Sequence, residues 1–345
     1  MRTGLVHIGA GELTYEIRNI ISVADKLQEL GVPVYLENIG DPVAKGEKIP
    51  VWMKEIIAEL VREDDCYGYC PTQGLLETRE FLVSLNNNNG HCRITPDDII
   101  FFNGLGDAIT KTYGFLRRTA RIITPSPTYT THSSSEAANP DNPTGMVYSV
   151  TMLKEIVEIA REFDLFIIAD EVYQNLVFNG QKTESLGAVI GEVPGISMKG
   201  ISKELPWPGS RCGWIEVYNV DKDPEFKSYI SSILNAKMVE VCSTTLPQKA
   251  LPLILQHPRY PAYLEQRRQR YERFSQIAYE RLSHIPGVVV NPTNGAFYMS
   301  VAFEDGVLNH SQTLPIGNGA VGELVEKLTG GSNIQPDKRF VYYLL

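Results

Sequence analysis

The chain has 345 residues, 43% of them hydrophobic and 21% charged, a composition that allows a sizeable core divided between two domains. Its formal net charge of -9 argues against nucleic acid as the main partner, because an acidic surface repels phosphate backbones. No apolar run is long enough to span a membrane, and the six histidines lack metal-ligand spacing, so we expect neither a membrane partner nor a metal. The five cysteines include no CxxC pair, which predicts free thiols in the cytoplasm.

Short apolar segments rich in isoleucine alternate with amphipathic segments along the chain. Strands are predicted at 98–102, 120–125, 165–170 and 212–218. Helices are predicted over 151–163 and 261–284, where apolar residues recur at helical spacing. This alternation predicts an α/β fold with a doubly wound, mostly parallel central sheet. Ligands of such sheets lie beyond the carboxyl ends of the strands, so the residues after each strand are the candidates for a site.

Glycine-rich or polar residues follow three of these strands. Gly104 and Gly106 enter a helix after the first strand, where free N–H groups favour a phosphate, although plain turns also use glycine there. Tyr129 follows the second strand and is either a core aromatic or a ring that stacks on a planar ligand. Asp170 stands at the end of the third strand, with Tyr173 close behind it. Its carboxylate either caps a helix or faces a cation or hydrogen-bond donor.

Lys203 and Arg211 lie in the bulky, glycine-broken stretch GISKELPWPGSRCGW (200–214). They are either two surface cations or a reactive pair, and the flanking tryptophans and prolines argue against a plain surface. A desolvated lysine can form a Schiff base with an aldehyde, and an arginine fork can hold a phosphate. Asn142 lies in NPDNPTG (139–145), which is either a rigid turn or a device that directs its amide at a ligand. Pyridoxal 5′-phosphate (PLP) is one planar ligand that meets all these requirements.

With these motifs the chain resembles the fold-type I PLP-dependent enzymes, specifically the aspartate/alanine aminotransferase superfamily (class I and II). The matching blocks occur in family order and cover most of the chain: NIGDP (38–42), YCPTQGLLETREFL (69–82), NGLGDAI (103–109), PSPTY (125–129), NPDNPTG (139–145), ADEVY (169–173), SKELPWPGSRCGW (202–214) and PTNGAFY (292–298). The resemblance implies a large PLP-binding domain, residues 46–284, and a smaller α+β domain formed by residues 1–45 and 285–345.

The resemblance also implies a role for each matching residue. Lys203 would bind PLP as a Schiff base and carry a proton between the substrate Cα and the cofactor C4′. Asp170 would keep the ring nitrogen protonated. Tyr173 and Asn142 would hydrogen-bond the ring oxygen. Tyr129 would stack on the ring. Arg211 and the backbone at Gly104, Leu105 and Gly106 would hold the phosphate, and Tyr69 would reach the phosphate of the other subunit in a homodimer. Gly40 and Asn142 would contact the substrate.

The chain departs from the family pattern at three places. Gly200 stands where the family often has a phosphate-binding serine, a role that Ser202 would take over. The segment between Tyr129 and Asn142 is too short for the strand, helix and strand expected there, which predicts that a segment near 138/139 is missing. The chain also stops at RFVYYLL, before the arginine that would bind the substrate carboxylate, so we expect the C-terminal part of the small domain to be incomplete.

The function that follows from the resemblance is amino-group transfer between an L-amino acid and a 2-oxo acid by a ping-pong route. Two alternatives stay open at this point. One is a PLP-dependent C–S β-lyase, because the cofactor-binding residues do not separate transfer from elimination. The other is a non-catalytic scaffold with the same fold. The identity of the amino donor and acceptor cannot be read from the sequence.

Overall fold

The structure is a computed structural model that describes residues 16–37, 40–127, 130–131, 134–135, 138–330 and 334–345. Its helices are α1 (Glu16–Glu29), α2 (Val51–Leu60), α3 (Leu76–Asn88), α4 (Leu105–Gly114), α5 (Val150–Glu162), α6 (Leu186–Val189), α7 (Ile201–Glu204), α8 (Pro224–Val239), α9 (Thr245–Leu255), α10 (Tyr260–Leu282), α11 (Gly319–Thr329) and α12 (Pro336–Leu344). Its strands are β1 (Ile99–Asn103), β2 (Thr130–Thr131), β3 (Ser134–Ser135), β4 (Ile167–Asp170), β5 (Gly195–Gly200), β6 (Cys212–Tyr218), β7 (Val288–Val290) and β8 (Val301–Phe303).

A central sheet of four strands runs in the order β1-β6-β5-β4. β4 and β5 are parallel, whereas β6 is antiparallel to both of its neighbours, so three of the four strands share one direction. This sheet, with helices on both faces, confirms the α/β fold. The strands predicted at 98–102, 165–170 and 212–218 and the helices predicted at 151–163 and 261–284 are all present with small shifts at their ends.

The strand predicted at 120–125 is wrong, because that segment forms no regular structure. Its Ile122 and Ile123 side chains are exposed to solvent. A strand is stabilised by the ladder and the packed face of its neighbours, and no described residue pairs with this segment. Among the described residues, this segment therefore lacks the neighbouring strand that its apolar composition would require.

The core lies on both faces of the central sheet because its strands alternate their side chains. Phe101 and Trp214 pack on one face against helices α2, α3 and α9. Phe102 and Ile215 pack on the other face against α4 and α8. Strands buried on both faces read as continuous apolar runs, which is why β1 and β6 were recognisable in the sequence.

The chain divides into two compact units. The larger unit comprises Asp41–Ala278 and Pro292–Ser300 and contains the central sheet. The smaller unit comprises Met1–Gly40, Tyr279–Asn291 and Val301–Leu345, with a core of Val23, Leu27, Val321, Val325 and Tyr342. The domain limits expected from the resemblance, 45/46 and 284/285, stay a prediction.

Within the described part of the chain, the outer edge of β4 is largely open. Among the described residues, only the segment at Ala138 and Asn139 pairs with it: Ala138 forms a parallel bridge with Asp170, and the Asn139 N–H donates to the Asp170 carbonyl at 2.9 Å. Helix α5, which follows this segment in the chain, also leaves an apolar stripe exposed: Met152, Ile156, Ile159 and Phe163. An open strand edge and an uncovered apolar stripe are what a chain with a missing segment at 138/139 would leave.

Candidate active site

The end of β4 places a buried carboxylate at the carboxyl edge of the sheet. Asp170 is the last residue of the strand, and its side chain is buried. Its Oδ1 accepts a hydrogen bond from the Val172 N–H at 3.0 Å. One reading of the sequence expected Asp170 to cap a helix, but no described helix begins there, and this contact belongs to a turn. A buried carboxylate at this edge can also accept a hydrogen bond from a protonated ring nitrogen.

Lys203 lies on the short helix α7, directly after the neighbouring strand β5. Its Nζ lies 6.0 Å from the centre of the Tyr173 ring and 5.6 Å from that of Phe297. Burial lowers the pKa of Lys203. The charges of Asp170 and Asp41 act in the opposite direction, and the charge of Arg211 adds to the lowering. A lower pKa leaves more of the amine unprotonated at a given pH, which a nucleophile and proton carrier requires.

Tyr173 is buried beside Lys203 in an aromatic group that includes a residue with no role assigned from the sequence. The hydroxyl oxygens of Tyr173 and Tyr298 lie 2.9 Å apart, within hydrogen-bond distance. The Tyr173 ring packs edge-on against Phe297 and Tyr298. The block PTNGAFY pointed to this region, but the pattern could not indicate that its last tyrosine contacts Tyr173.

Gly104 and Arg211 meet at the start of helix α4. Gly104 has a φ of +83°, which favours glycine, and a Cβ at this position would collide with the Arg211 guanidinium. Arg211 Nη2 donates to the Asn103 carbonyl at 3.3 Å. Leu105 and Gly106 form the first turn, where helix N–H groups have no partner within the helix. A cation therefore stands beside helix N–H donors, an arrangement suited to an anion.

Asn142 is half-buried in the turn that precedes α5. Among the described residues, its side-chain amide forms no hydrogen bond with another residue. Its neighbour Asn139 has a structural role instead: its side chain donates to Thr183 Oγ1 at 2.6 Å and accepts from the Tyr148 N–H at 2.9 Å. The two Asn-Pro steps of the motif thus differ in what they do.

The other predicted site residues are less tied to this group. Ser202 is half-buried on α7, one residue before Lys203. The Gly200 position is tight, because a Cβ there would lie 3.3 Å from the Cys212 carbonyl oxygen, which disfavours the serine of the family pattern. Tyr69 is 87% exposed. Gly40 belongs to the smaller unit, and Tyr129 lies outside the described residues.

Arg267 is a buried residue that the sequence analysis missed. Its Nη1 donates to the carbonyl oxygens of Lys203, at 2.7 Å, and Glu204, at 2.5 Å. Its Nε and Nη2 donate to the two carboxylate oxygens of Glu47, at 2.5 and 3.1 Å. Arg267 therefore holds the backbone of the turn that carries Lys203. It sits in a helix rich in arginine, so no local pattern distinguished it from its exposed neighbours.

Comparison with known proteins identifies the family. A sequence model of the aminotransferases of class I and II matches residues 137–313. An uncharacterized aminotransferase of Methanocaldococcus jannaschii is 52% identical over 385 residues, covering 100% of this chain and 89% of that protein. The chain belongs to the class I and II aminotransferases.

Other aminotransferases agree with this assignment. A glutamate–pyruvate aminotransferase of Escherichia coli is 27% identical and covers 83% of this chain and 79% of its own length. The structure of an alanine aminotransferase from Pyrococcus furiosus superposes with a TM-score of 0.78 at 26% identity, covering 93% of this chain and 88% of that one. These relatives confirm the aminotransferase prediction and give no support to the lyase or the scaffold. No helix among the described residues of this aminotransferase is long and apolar enough to cross a membrane.

Proposed function

We propose that this aminotransferase uses PLP, held by Lys203, to exchange an amino group between L-alanine and 2-oxoglutarate. One observation carries the proposal: the Lys203 amine, the Asp170 carboxylate, Tyr173 and Arg211 surround one edge of the central sheet beside the start of α4. The substrate pair is supported by the relatives named as a glutamate–pyruvate aminotransferase and an alanine aminotransferase.

The residues present fit the cofactor. Arg211 and the first turn of α4 offer a cation and N–H donors for its phosphate, and the absent Cβ of Gly104 leaves the space between them open. The buried Asp170 carboxylate suits a protonated pyridine nitrogen, and the amine of Lys203 has the lowered pKa that reaction with an aldehyde requires. Tyr173 and Asn142 would donate to the ring oxygen.

When bound, PLP supplies an aldehyde carbon that takes up the amino group and a ring that withdraws electrons from the α-carbon. The chain's own residues then do the rest. Lys203 Nζ would take the proton from the α-carbon of the amino acid and would deliver it to the cofactor carbon that has received the amino group. The Asp170 carboxylate would stabilise the positive charge on the ring nitrogen, and Tyr298, whose hydroxyl oxygen lies 2.9 Å from that of Tyr173, would orient the Tyr173 hydroxyl.

The assembly and compartment are further parts of the proposal. The exposed ring of Tyr69 is free to contact a second subunit, which supports a homodimer in which Tyr69 reaches the partner's phosphate site. All five cysteines are free thiols, which supports a reducing cytoplasm. Gly40, Ser202 and Tyr129 keep the roles that the resemblance implies, as predictions.

The test uses purified protein with added PLP and two variants, Lys203→Ala and Lys203→Arg. Wild-type protein should show a visible cofactor band and convert alanine and 2-oxoglutarate to pyruvate and glutamate, whereas both variants should lose the band and the activity. Lys182→Ala, at an exposed lysine, is the matched control and should keep both. An active Lys203→Ala protein would refute the mechanism.

The substrate is tested with the same preparation. Aspartate and cystathionine are offered in parallel with alanine, each with and without 2-oxoglutarate. Amino-group transfer from aspartate with none from alanine would reject alanine as the substrate, but the assignment as an aminotransferase would stand. Pyruvate released from cystathionine without any acceptor, and no transfer from any amino acid, would reject the PLP-dependent transfer itself.

A further inference from the structure

Four charged side chains form a closed ring at the start of helix α4. Lys237 Nζ lies 2.7 Å from Glu240 Oε2 and 3.4 Å from Asp107 Oδ2. Lys111 Nζ also contacts both Asp107 and Glu240. Each cation thus contacts both carboxylates, and the ring carries no net charge. It connects α4 to the end of α8 within the larger unit.

The ring lies on the turn to which we assign the PLP phosphate. Asp107 is the third residue of α4, and its Oδ2 accepts a hydrogen bond from the Asn103 N–H at 3.0 Å. The two residues before it, Leu105 and Gly106, are those whose N–H groups face no helical acceptor. A carboxylate on this turn would repel a phosphate dianion unless cations neutralise it.

Asp107 stays ionised in this position. Burial raises its pKa, but the hydrogen bonds from Lys111 and the Asn103 N–H and the charge of Lys237 outweigh burial and lower the pKa below its usual value. The negative charge is therefore present when an anion approaches α4, and the two lysines must offset it.

Lys237 is the more constrained of the two lysines. It is 0% exposed, and its Nζ lies 5.3 Å from the centre of the Phe102 ring, at the end of the strand that leads into α4. Burying an amine costs free energy, and an apolar residue of similar size often serves stability at least as well. Stability alone therefore gives a weak reason for a lysine at this position.

We propose that Lys237 is a positioning residue for the cofactor phosphate: it neutralises Asp107 and ties α8 to the first turn of α4, so that this turn accepts an anion. The inference rests on the proposed function, since it takes the phosphate site to be at α4. Lys237 itself would not contact the cofactor. Its effect reaches the phosphate through Asp107.

The experiment measures anion affinity rather than turnover. Full-length protein freed of PLP is titrated with inorganic phosphate by calorimetry and with PLP by its visible band. Lys237→Met should weaken both affinities by about tenfold, because one uncompensated carboxylate remains beside the site. Lys227→Met is the matched control: this lysine lies on the same helix, is exposed, pairs with Asp221, and should leave both affinities unchanged.

The double variant Asp107→Asn/Lys237→Met separates the proposal from a loss of packing. Removing the carboxylate together with its cation should return phosphate and PLP affinity to near the wild-type values, whereas general damage to the fold would not be repaired. Asp107→Asn alone keeps the shape of the side chain, and it tests the proposal if Lys237→Met does not fold. It should bind phosphate at least as tightly as wild type.

Three results would overturn the inference. They are unchanged anion affinity in Lys237→Met, no recovery in the double variant, and weaker phosphate binding in Asp107→Asn. If wild-type protein binds PLP normally while any of these results is obtained, only the role of Lys237 fails. If wild-type protein binds neither PLP nor phosphate, the proposed function fails as well.

Discussion

Arg267 Nη1 donates to the carbonyl oxygen of Lys203 at 2.7 Å. The contact joins the backbone of Lys203 to a buried ion pair, because the rest of the guanidinium is held by Glu47. Tyr271 also donates to Glu47, through its hydroxyl at 2.8 Å. The position of Lys203 thus depends on helix α10 and on a carboxylate far away in the chain. The role proposed for Lys203, reaction with one carbon atom of the cofactor, requires such a fixed backbone.

The first prediction concerns this ion pair. Arg267→Gln should lower the free energy of unfolding by about 3–5 kcal/mol, because it leaves the buried Glu47 carboxylate without its cation. Urea unfolding followed by circular dichroism measures the change. Arg273→Gln, at an exposed arginine of the same helix, should change stability by no more than about 0.5 kcal/mol. Equal stabilities of the two variants would show that the Arg267–Glu47 pair does not hold the fold.

The second prediction concerns the pH at which Lys203 reacts. A protonated lysine does not react with an acylating reagent, so the rate at which Lys203 is acylated rises with pH. The lowered pKa of Lys203 moves this rise to lower pH than for an ordinary lysine. Asp170→Asn removes an anion that raises the pKa and should move the rise further down. Arg211→Gln removes a cation that lowers it and should move the rise up.

Mass spectrometry after brief acylation of the apoprotein measures this reactivity at each lysine. The exposed Lys182 in the same molecule is the internal reference, because solvent and salt screen its charge from both substitutions. Midpoints that move in the same direction in both variants would contradict the electrostatic account of the Lys203 environment.

The third prediction concerns the hydroxyl pair of Tyr173 and Tyr298. Tyr298→Phe keeps the ring but removes the hydrogen bond at 2.9 Å, which is worth about 0.5–1.5 kcal/mol and corresponds to roughly a two- to tenfold loss of kcat/KM. In the Tyr173→Phe background, the same substitution should have little further effect, because its partner is already absent. Additive losses in the double variant would show that the two hydroxyls act independently.

The sequence predicted the parts of the site that depend on local pattern. Asp170 ends one apolar strand, Lys203 follows another, and Gly104 enters a helix, so their positions at one sheet edge follow from the topology of parallel strands. Tyr298 and Arg267 could not be found in this way. Their contacts join residues 125 and 64 positions apart, and only tertiary packing brings such residues together.

The absence of the strand predicted at 120–125 has a related physical cause. A strand needs a partner, and the described residues offer one neither to Ile122 nor to most of the open edge of β4. The proposal that a segment is missing at 138/139 explains both. It is supported by the M. jannaschii relative, whose aligned span of 385 residues is longer than this chain of 345.

The last prediction tests this open region through helix α5. Ile159→Glu should change the free energy of unfolding by no more than about 0.5 kcal/mol, because this side chain is 50% exposed. Val157→Glu, two residues away but 2% exposed, should cost more than about 3 kcal/mol, since it buries a charge in the core. Urea unfolding compares the two variants.

Insertion of the proposed missing segment then tests whether it covers helix α5. The residues of the M. jannaschii relative that correspond to the proposed gap are inserted between Ala138 and Asn139, with a glycine–serine insert of equal length as control. If the inserted segment pairs with β4 and covers α5, Ile159→Glu should become destabilising by about 2 kcal/mol or more in the graft alone, because its side chain is then buried. An Ile159→Glu change that stays neutral in the graft would mean that the stripe on α5 faces solvent in the complete fold, and that the gap lies elsewhere.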